Sequence, residues 1–320
     1  MVMKRKLIIL VLFIVSVLLH VSCNNDFLNT DPQDRIASSA TWADGPLSEA
    51  FVFNVYSYLY YAGFHEEGIS SLSDEALFTH GRAYYITTEG TETPSNLGWF
   101  NDTFRWENMW EAIRQANVAL AELPASTFDD DGLRERLIGE AYFLRAYYYH
   151  QLLRHWGGIP IIDAPYGLNE DYTIARSSFE DCINFIVDDL DEAASLLDGK
   201  PVTDGRASKL SAMALKARVL LYAASDLHHA PTAQANSSLL AGYGAIELVA
   251  YTGGDQQARY AAARDAALDV LNESPGWKLD LSAPVSAEEG RENYIALYCG
   301  GESSVADGGA AVELLFQRTH

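Results

Sequence analysis

Aromatic residues in segments without helical periodicity are the side chains of this sequence best suited to binding chemistry. Rings occur in four such segments, residues 62–103, 156–176, 225–255 and 274–320. A flat ring can pack on the C–H face of a sugar while nearby amides and carboxylates bind its hydroxyls. Rings also anchor segments on a core, which is the commoner fate of any single aromatic residue. Both roles remain open for each ring.

Motifs for catalysis and metal binding are absent from the sequence. It contains no G-x-S-x-G, H-E-x-x-H, Walker or G-x-G-x-x-G motif. His228 and His229 are adjacent and would point to different sides of a helix, so they are poorly placed as metal ligands. We therefore predict no catalytic residue, no metal and no cofactor. A glycosidase with two carboxylates stays open, because its acid and base can lie anywhere in the sequence.

The first residues indicate export. Lys4, Arg5 and Lys6 precede an apolar run from Leu7 to Leu19, and Ser22-Cys23 follows. That run is shorter than the roughly 20 residues that span a bilayer, so residues 1–22 are predicted to be a signal peptide. Cys23 resembles the acylated cysteine of a bacterial lipobox, although His20 stands where Leu is usual. An ordinary secretory signal is the alternative.

Charge and cysteine content exclude other classes of protein. The chain has 44 acidic and 22 basic residues, and no basic cluster follows residue 6, so nucleic acid is a poor partner. Cys182 and Cys299 do not have the spacing of a disulfide scaffold or a zinc site, although one bridge between them remains possible.

Long amphipathic helices account for most of the remaining sequence. Apolar residues recur at steps of three and four, which is helical periodicity. The predicted apolar faces run from Leu47 to Leu59, Trp106 to Leu120, Leu133 to Leu152, Phe179 to Leu197, Leu210 to Ala224, and Tyr260 to Leu271. Gly157, Gly158 and Pro160 should end the third helix, and Ser177 with Glu180 has the spacing of a capping box for the fourth.

The last two helices are rich in alanine, which lets helix axes approach closely and favours stacked hairpins. Residues 217–231 resemble the second half of a degenerate tetratricopeptide repeat. The acidic residues of the fourth helix, Asp188, Asp189, Asp191 and Glu192, are interpreted as a solvated outer face. The predicted fold is all-α.

Several segments resemble, in the correct order, signatures of the SusD/RagB-like family of outer-membrane nutrient-binding lipoproteins. They include residues 23–33, 106–117, 139–160, 176–193, 205–223 and 292–316. The most specific runs from Gly139 through Arg145 and its following tyrosines to Trp156, Gly157, Gly158 and Pro160. Arg145 among these rings is interpreted as a packing residue.

The resemblance implies a fold and a role. Residues 23–320 would form a SusD-like domain, an α-superhelix of tetratricopeptide-like hairpins with long irregular ligand-binding loops. Family members are usually longer, so we expect the chain to be a truncated N-terminal portion. A cell-surface protein of this kind binds a nutrient, without catalysis, for a TonB-dependent (SusC-like) transporter.

The resemblance also directs attention to the first long irregular segment, although no fixed binding motif occurs there. We expect an oligosaccharide to contact stacking rings and hydroxyl partners in this segment, namely Tyr84, Tyr85, Trp99, Asp74, Arg82 and Asn101. The alternatives are a helical scaffold that binds peptide or protein and, third, a lipid-anchored glycosidase.

Overall fold

A computed structural model describes residues 38–62, 89–93, 95–97, 104–167, 169–171, 173–274, 286–288, 290–291 and 315–316. The chain divides into a unit of residues 1–41, of which the first turn of one helix is described, and a unit of residues 42–320. Within the described ranges the extended pairings are isolated bridges, and everything regular is helical.

The helix bounds agree closely with the apolar periodicity. In chain order the helices are α1 Ser38–Trp42, α2 Gly45–Ser57, α3 Trp106–Glu122, α4 Asp131–Trp156, α5 Phe179–Leu196, α6 Lys209–Ala224, α7 Ala230–Asn236, α8 Ser238–Ala241 and α9 Gln256–Glu273. Short 3-10 turns occupy Tyr58–Tyr61, Leu123–Ala125, Asp226–His228 and Ile246–Leu248. Helix α3 packs on α4, α4 on α5, α5 on α6, and α6 on α9. The predicted all-α fold of consecutive hairpins is confirmed.

Residues 225–255 contain more helix than their sequence pattern predicts. Helices α7 and α8 and two 3-10 turns lie there, because Pro231 and the side chain of Ser237 start short helices that lack an apolar repeat. His228 ends a 3-10 turn and His229 precedes α7. No cluster of potential metal ligands occurs among the described residues.

A capping carboxylate sets the start of helix α4, and a glycine with positive φ sets its end. The Asp130 carboxylate accepts a hydrogen bond of 2.8 Å from the Leu133 amide and caps the first turn. The helix ends at Gly157, whose φ of +71° favours glycine. A Cβ at this position would lie 2.5 Å from the Leu248 carbonyl oxygen. The predicted stop of this helix is confirmed.

The cap of α5 lies one residue later than predicted. Ser178, rather than Ser177, accepts from the Asp181 amide at 3.0 Å, while the Ser177 amide donates to the Ile159 carbonyl. A reciprocal capping box occurs instead at α6, between Ser208 and Ser211. The cap prediction was wrong because two adjacent serines have the same capping chemistry, and tertiary hydrogen bonding selects between them.

The inner face of α6 also differs from the predicted one. Its buried residues include Ala212, Leu215, Val219 and Ala223. Leu221, predicted to face the core, is 57% exposed, and Leu271 of α9 is 48% exposed. Alanine-rich helices carry small residues on more than one face, so periodicity alone could not select the buried one.

A buried ion pair joins three helices. Arg145 of α4 donates from two nitrogens to the carboxylate of Asp189 on α5, at 2.8 and 2.7 Å, and to the Asn117 side-chain oxygen on α3 at 2.7 Å. The guanidinium also lies over the rings of Tyr142 and Phe185. The packing role predicted for Arg145 is confirmed, whereas the solvated role of Asp189 was wrong, since this residue is 4% exposed.

A second buried polar cluster surrounds Glu140, whose side chain is fully enclosed. Its carboxylate accepts from the Tyr56 hydroxyl at 3.0 Å, from Arg136 at 3.0 Å, and pairs with Arg206 at 2.6 Å. Burial raises the pKa of Glu140, while Arg206 and Arg136 lower it. Because the Ala207 amide donates to Tyr56, the cluster fixes α2, α4 and the start of α6 together.

None of the helices in the described ranges has the length and apolar character needed to cross a membrane.

Replacing Asp189 with Ala should destabilise the fold by about 3–5 kcal/mol, because the buried Arg145 guanidinium loses its charged partner. The matched control is Asp191→Ala, two residues along α5, which removes an exposed pair with Lys216. That change should cost less than about 1 kcal/mol. Urea unfolding followed by circular dichroism measures both, and equal losses would contradict the assigned role of Asp189.

His150 should make the protein sensitive to acid. The ring lies between α4 and α6 and has no hydrogen-bond partner among the described residues, and burial, followed by Arg154 and Arg218, lowers its pKa to about 3. The unfolded chain takes up a proton near pH 6.5 and the folded one does not, so stability falls as pH decreases from about 6.5 towards 3.

The change that isolates this effect is His150→Phe. Between pH 7 and pH 4.5 the unmodified protein should lose on the order of 2 kcal/mol more free energy of unfolding than the variant does. Urea titrations at the two pH values provide the comparison. Identical pH dependence in the two proteins would show that His150 is not the group responsible.

Candidate functional site

The predicted ligand-binding residues lie outside the described residues, as does the predicted lipidation site. They are Asp74, Arg82, Tyr84, Tyr85, Trp99 and Asn101 for the ligand, and Cys23 for the lipid. Their roles stay predictions. The described residues on both sides of this segment show where it is attached to the helical frame.

The described residues that flank 63–103 in the sequence lie next to each other. Ala62 and Phe104 form an antiparallel bridge, and the Arg105 amide donates to the Tyr61 carbonyl at 3.1 Å. The hydroxyl of Tyr147, from α4, donates to the Ala62 carbonyl at 2.8 Å. Ala62 and Phe104 are therefore held together, and Ala62 is fixed to α4.

Three tryptophans lie close to the paired residues Ala62 and Phe104, which we call the attachment point. Trp106 and Trp110 are one turn apart on α3, with ring centroids 5.6 Å apart, and Trp156 at the end of α4 lies 5.2 Å from Trp106. All three are partly exposed. We call Trp106, Trp110 and Trp156 the aromatic shelf. Edge-to-face packing fixes their orientation, so they form a rigid apolar surface beside the ends of residues 63–103.

The shelf is supported from below. Tyr149 of α4 packs on Trp110 at 5.8 Å, and its hydroxyl binds the amide and carbonyl of Ile162 at 2.7 and 3.0 Å. Arg114 donates to the Tyr166 carbonyl at 3.0 Å. The second predicted irregular segment, residues 156–176, is thereby fixed across α3 and α4 next to the shelf.

His155 adds no positive charge beside the shelf at neutral pH. Its ring lies 4.0 Å from the Phe104 ring and 5.9 Å from that of Trp156. Burial, followed by the charge of Arg154, lowers its pKa to about 4. The three shelf rings, with an uncharged His155 beside them, suit a ligand with apolar C–H faces.

The apolar periodicity predicted that Trp106 and Trp110 lie on the buried face of α3. Ile113 and Asn117 on that face are buried, whereas the two tryptophans are partly exposed. The available signal was the position of two tryptophans one turn apart, immediately after an irregular segment. Of the rings in the later segments, Tyr251 is buried against Phe179 and Tyr243 is 39% exposed. Tyr251 therefore anchors its segment on the core, which is the commoner role of an aromatic residue.

Comparison with known protein families identifies one match. Residues 89–221 match the family SusD-like_3, described as "Starch-binding associating with outer membrane". The matched range contains the shelf, the Arg145–Asp189 pair and helices α3 to α5.

Relatives and solved structures agree with this match. The chain is 33% identical over 119 residues to a SusD-like protein of Formosa agariphila, covering 37% of this chain and 23% of the relative. It is 22% identical over 225 residues to a SusD-like protein of Bacteroides ovatus, covering 68% and 39%.

Among solved structures, a SusD-like protein of Bacteroides fragilis is 27% identical with a TM-score of 0.50, covering 67% of this chain and 41% of that one. A SusD homologue of Bacteroides thetaiotaomicron, 16% identical with a TM-score of 0.53, covers 87% and 49% and shares the fold. The chain spans less than half the length of each of these four proteins.

Removing the Tyr147 hydroxyl should loosen the attachment of residues 63–103. Tyr147→Phe leaves the Ala62 carbonyl without that donor, so the Ala62 and Arg105 amides should exchange with deuterium faster. Stability should fall by about 1–3 kcal/mol.

The matched control is Tyr148→Phe, which removes a hydroxyl bonded to the Val55 carbonyl within α2. It should cost similar stability while leaving exchange at Ala62 and Arg105 close to that of the unmodified protein. Faster exchange at these two amides in both variants alike would argue against a specific role for Tyr147.

Proposed function

This chain belongs to the SusD/RagB-like family, and we propose that it binds an oligosaccharide at the outer surface of the cell. The observation that carries the proposal is the geometry of the attachment point. The segment with the predicted stacking rings is flanked by Ala62 and Phe104, which pair with each other, and Phe104 packs on His155 next to Trp156 of the shelf. The description of the matching family as starch-binding supports the same ligand class.

The chemistry of the shelf suits a neutral sugar. A pyranose ring has an apolar face that packs on an indole, and its hydroxyls need hydrogen-bond partners at the edge of the contact. In our proposal Trp99, Tyr84 and Tyr85 supply further rings, and Asp74, Arg82 and Asn101 bind hydroxyls. The helical frame contributes rigidity, which lowers the entropic cost of ordering the site on binding.

Location and partner form the second part of the proposal. Residues 1–22 direct export, Cys23 carries the lipid, and the mature protein is anchored on the outer membrane. It passes its ligand to a TonB-dependent, SusC-like transporter and does not act on the ligand chemically. The family's association with the outer membrane supports this location.

Substituting Trp99 and Tyr85 together by Ala should abolish retention of the protein in glycan-containing affinity gels. Loss of two stacking contacts at about 1.4 kcal/mol each would weaken binding roughly a hundredfold. The helical circular dichroism spectrum should not change. Tyr243→Ala serves as the control, because this ring is exposed on the surface in a different segment.

Retention that survives the double substitution would remove these residues from the site. Ligand arrays distinguish the competing classes: a glycan binder should ignore peptides, whereas a peptide-binding scaffold should not. Release of reducing sugar from a polysaccharide panel would instead indicate a glycosidase.

A further inference from the structure

An open groove lies between α6 and α9. Its volume is about 460 Å³, within the range of roughly 300–1,000 Å³ that small-molecule sites occupy. The lining residues are Ala217, Arg218, Leu221, Tyr260, Ala263, Arg264 and Ala267. Three alanines form much of this lining, and their small side chains leave the space that larger residues would fill.

The groove is an apolar surface with one aromatic ring at its side. Leu221, which lines the groove, is 57% exposed. Tyr260 is partly buried, so its ring is held while part of its face remains accessible. These are the features that allow a sugar ring or a similar flat, partly apolar group to bind.

Arg218 lies in the groove without a partner among the described residues. Its guanidinium forms no ion pair or hydrogen bond there, whereas Arg259 of α9 donates to the Gly253 carbonyl and the remaining basic residues of α6 and α9 form ion pairs. Lys209 pairs with Asp198 and Glu273, Lys216 with Asp191, and Arg264 with Asp265. In a chain with 44 acidic and 22 basic residues, an unpaired guanidinium in a groove stands out.

Arg218 and Arg154 both act on the buried His150 ring. The pKa of the buried His150 is lowered by burial and then by Arg154, Arg218 and His155, and no carboxylate acts in the opposite direction. The Arg154 guanidinium binds only the Gln151 side chain among the described residues. Of the two arginines that line the groove, Arg264 is paired with Asp265, so Arg218 is the cation left to bind an anion.

We propose that the groove between α6 and α9 binds an acidic sugar residue, whose ring packs on Tyr260 and Leu221 and whose oxyanion accepts hydrogen bonds from Arg218. Guanidinium groups bind carboxylate and sulfate in the same planar, two-bond geometry, so either oxyanion fits. A neutral sugar would leave the guanidinium unpaired. The inference rests on the proposed function, because it takes the ligand to be a saccharide.

Calorimetric titration of the mature protein tests the groove with three probes. These are a galacturonic acid trimer, a sulfated galactose trimer and a neutral galactose trimer. At least one acidic trimer should bind tenfold or more tightly than the neutral trimer. The two acidic probes distinguish a carboxylate from a sulfate. Equal affinity for acidic and neutral trimers, or binding of none of them, would overturn the proposal.

Variants then assign the binding to the groove. Arg218→Gln should reduce the affinity for the acidic trimer about tenfold or more, and Tyr260→Ala should also weaken it. Lys216→Gln is the matched control, since it removes the same charge from the same helix at a residue paired with Asp191. An unchanged affinity in Arg218→Gln, or an equal loss in Lys216→Gln, would overturn the proposal.

The same titrations separate this site from the proposed principal one. If Trp99 and Tyr85 substitution abolishes all saccharide binding while Arg218→Gln changes nothing, the groove proposal fails and the proposed function stands. If acidic binding depends on Arg218 and survives the loss of Trp99 and Tyr85, the groove binds ligand by itself, and unchanged retention of a neutral glycan in the double variant would show that the principal site is wrong.

Accessibility of the groove is measured with Leu221→Cys. Its thiol should react quickly with a maleimide, above the background of the unmodified protein, and the acidic trimer should slow this reaction. A thiol that is unreactive without ligand would show that another part of the chain, or a second copy, covers the groove, and this result would also overturn the proposal.

Discussion

The ion pair between Arg145 and Asp189 is the constraint on which the positions of the central helices depend. Neither charge can be removed from water without a partner, so α4 and α5 must meet at the register that brings these side chains together. Asn117 extends the same requirement to α3. The hydrogen bond from Asn117 to the Ile162 carbonyl then fixes the segment beside the aromatic shelf.

Helix α4 connects the Arg145–Asp189 ion pair to the candidate site. Arg145 lies near the middle of this helix, Tyr147 and Tyr149 follow within one turn, and Trp156 is its last residue. Tyr147 holds Ala62, where residues 63–103 begin, and Tyr149 supports Trp110. A shift of α4 against α3 would separate the shelf from the attachment point, so the buried charges and the proposed binding surface are linked mechanically.

Most of the helical frame could be predicted from apolar periodicity and from helix-ending residues such as Gly157. The error at Asp189 had a visible signal: it lies three residues after Ile186 and four before Ala193, on the buried stripe of α5. The acidic neighbours of Asp189 suggested a solvated run of charges. Its position on the apolar stripe, however, required that Asp189 be buried and therefore paired with a cation. A buried carboxylate can be predicted only together with the cation that pairs with it. Arg145, the partner of Asp189, is 44 residues away in the sequence.

The functional surfaces were harder to predict for a different physical reason. Periodicity says that residues share a face, but not which face meets another helix, so Leu221 was assigned to the core although it borders an open groove. Trp106 was assigned to the core by the same reasoning, although its ring is partly exposed. Which ligand a surface can bind depends on contacts that tertiary structure sets, and spacing in the sequence carries no information about these contacts.

Hydrogen–deuterium exchange of the mature protein, with and without a neutral glycan that it retains, tests the central claim most directly. The claim is that ligand binds where residues 63–103 meet the frame. Saturating glycan should slow exchange in residues 74–101 and in the first turns of α3, and should leave α5 and α9 unchanged. Protection confined to other helices, with residues 74–101 exchanging as before, would contradict it.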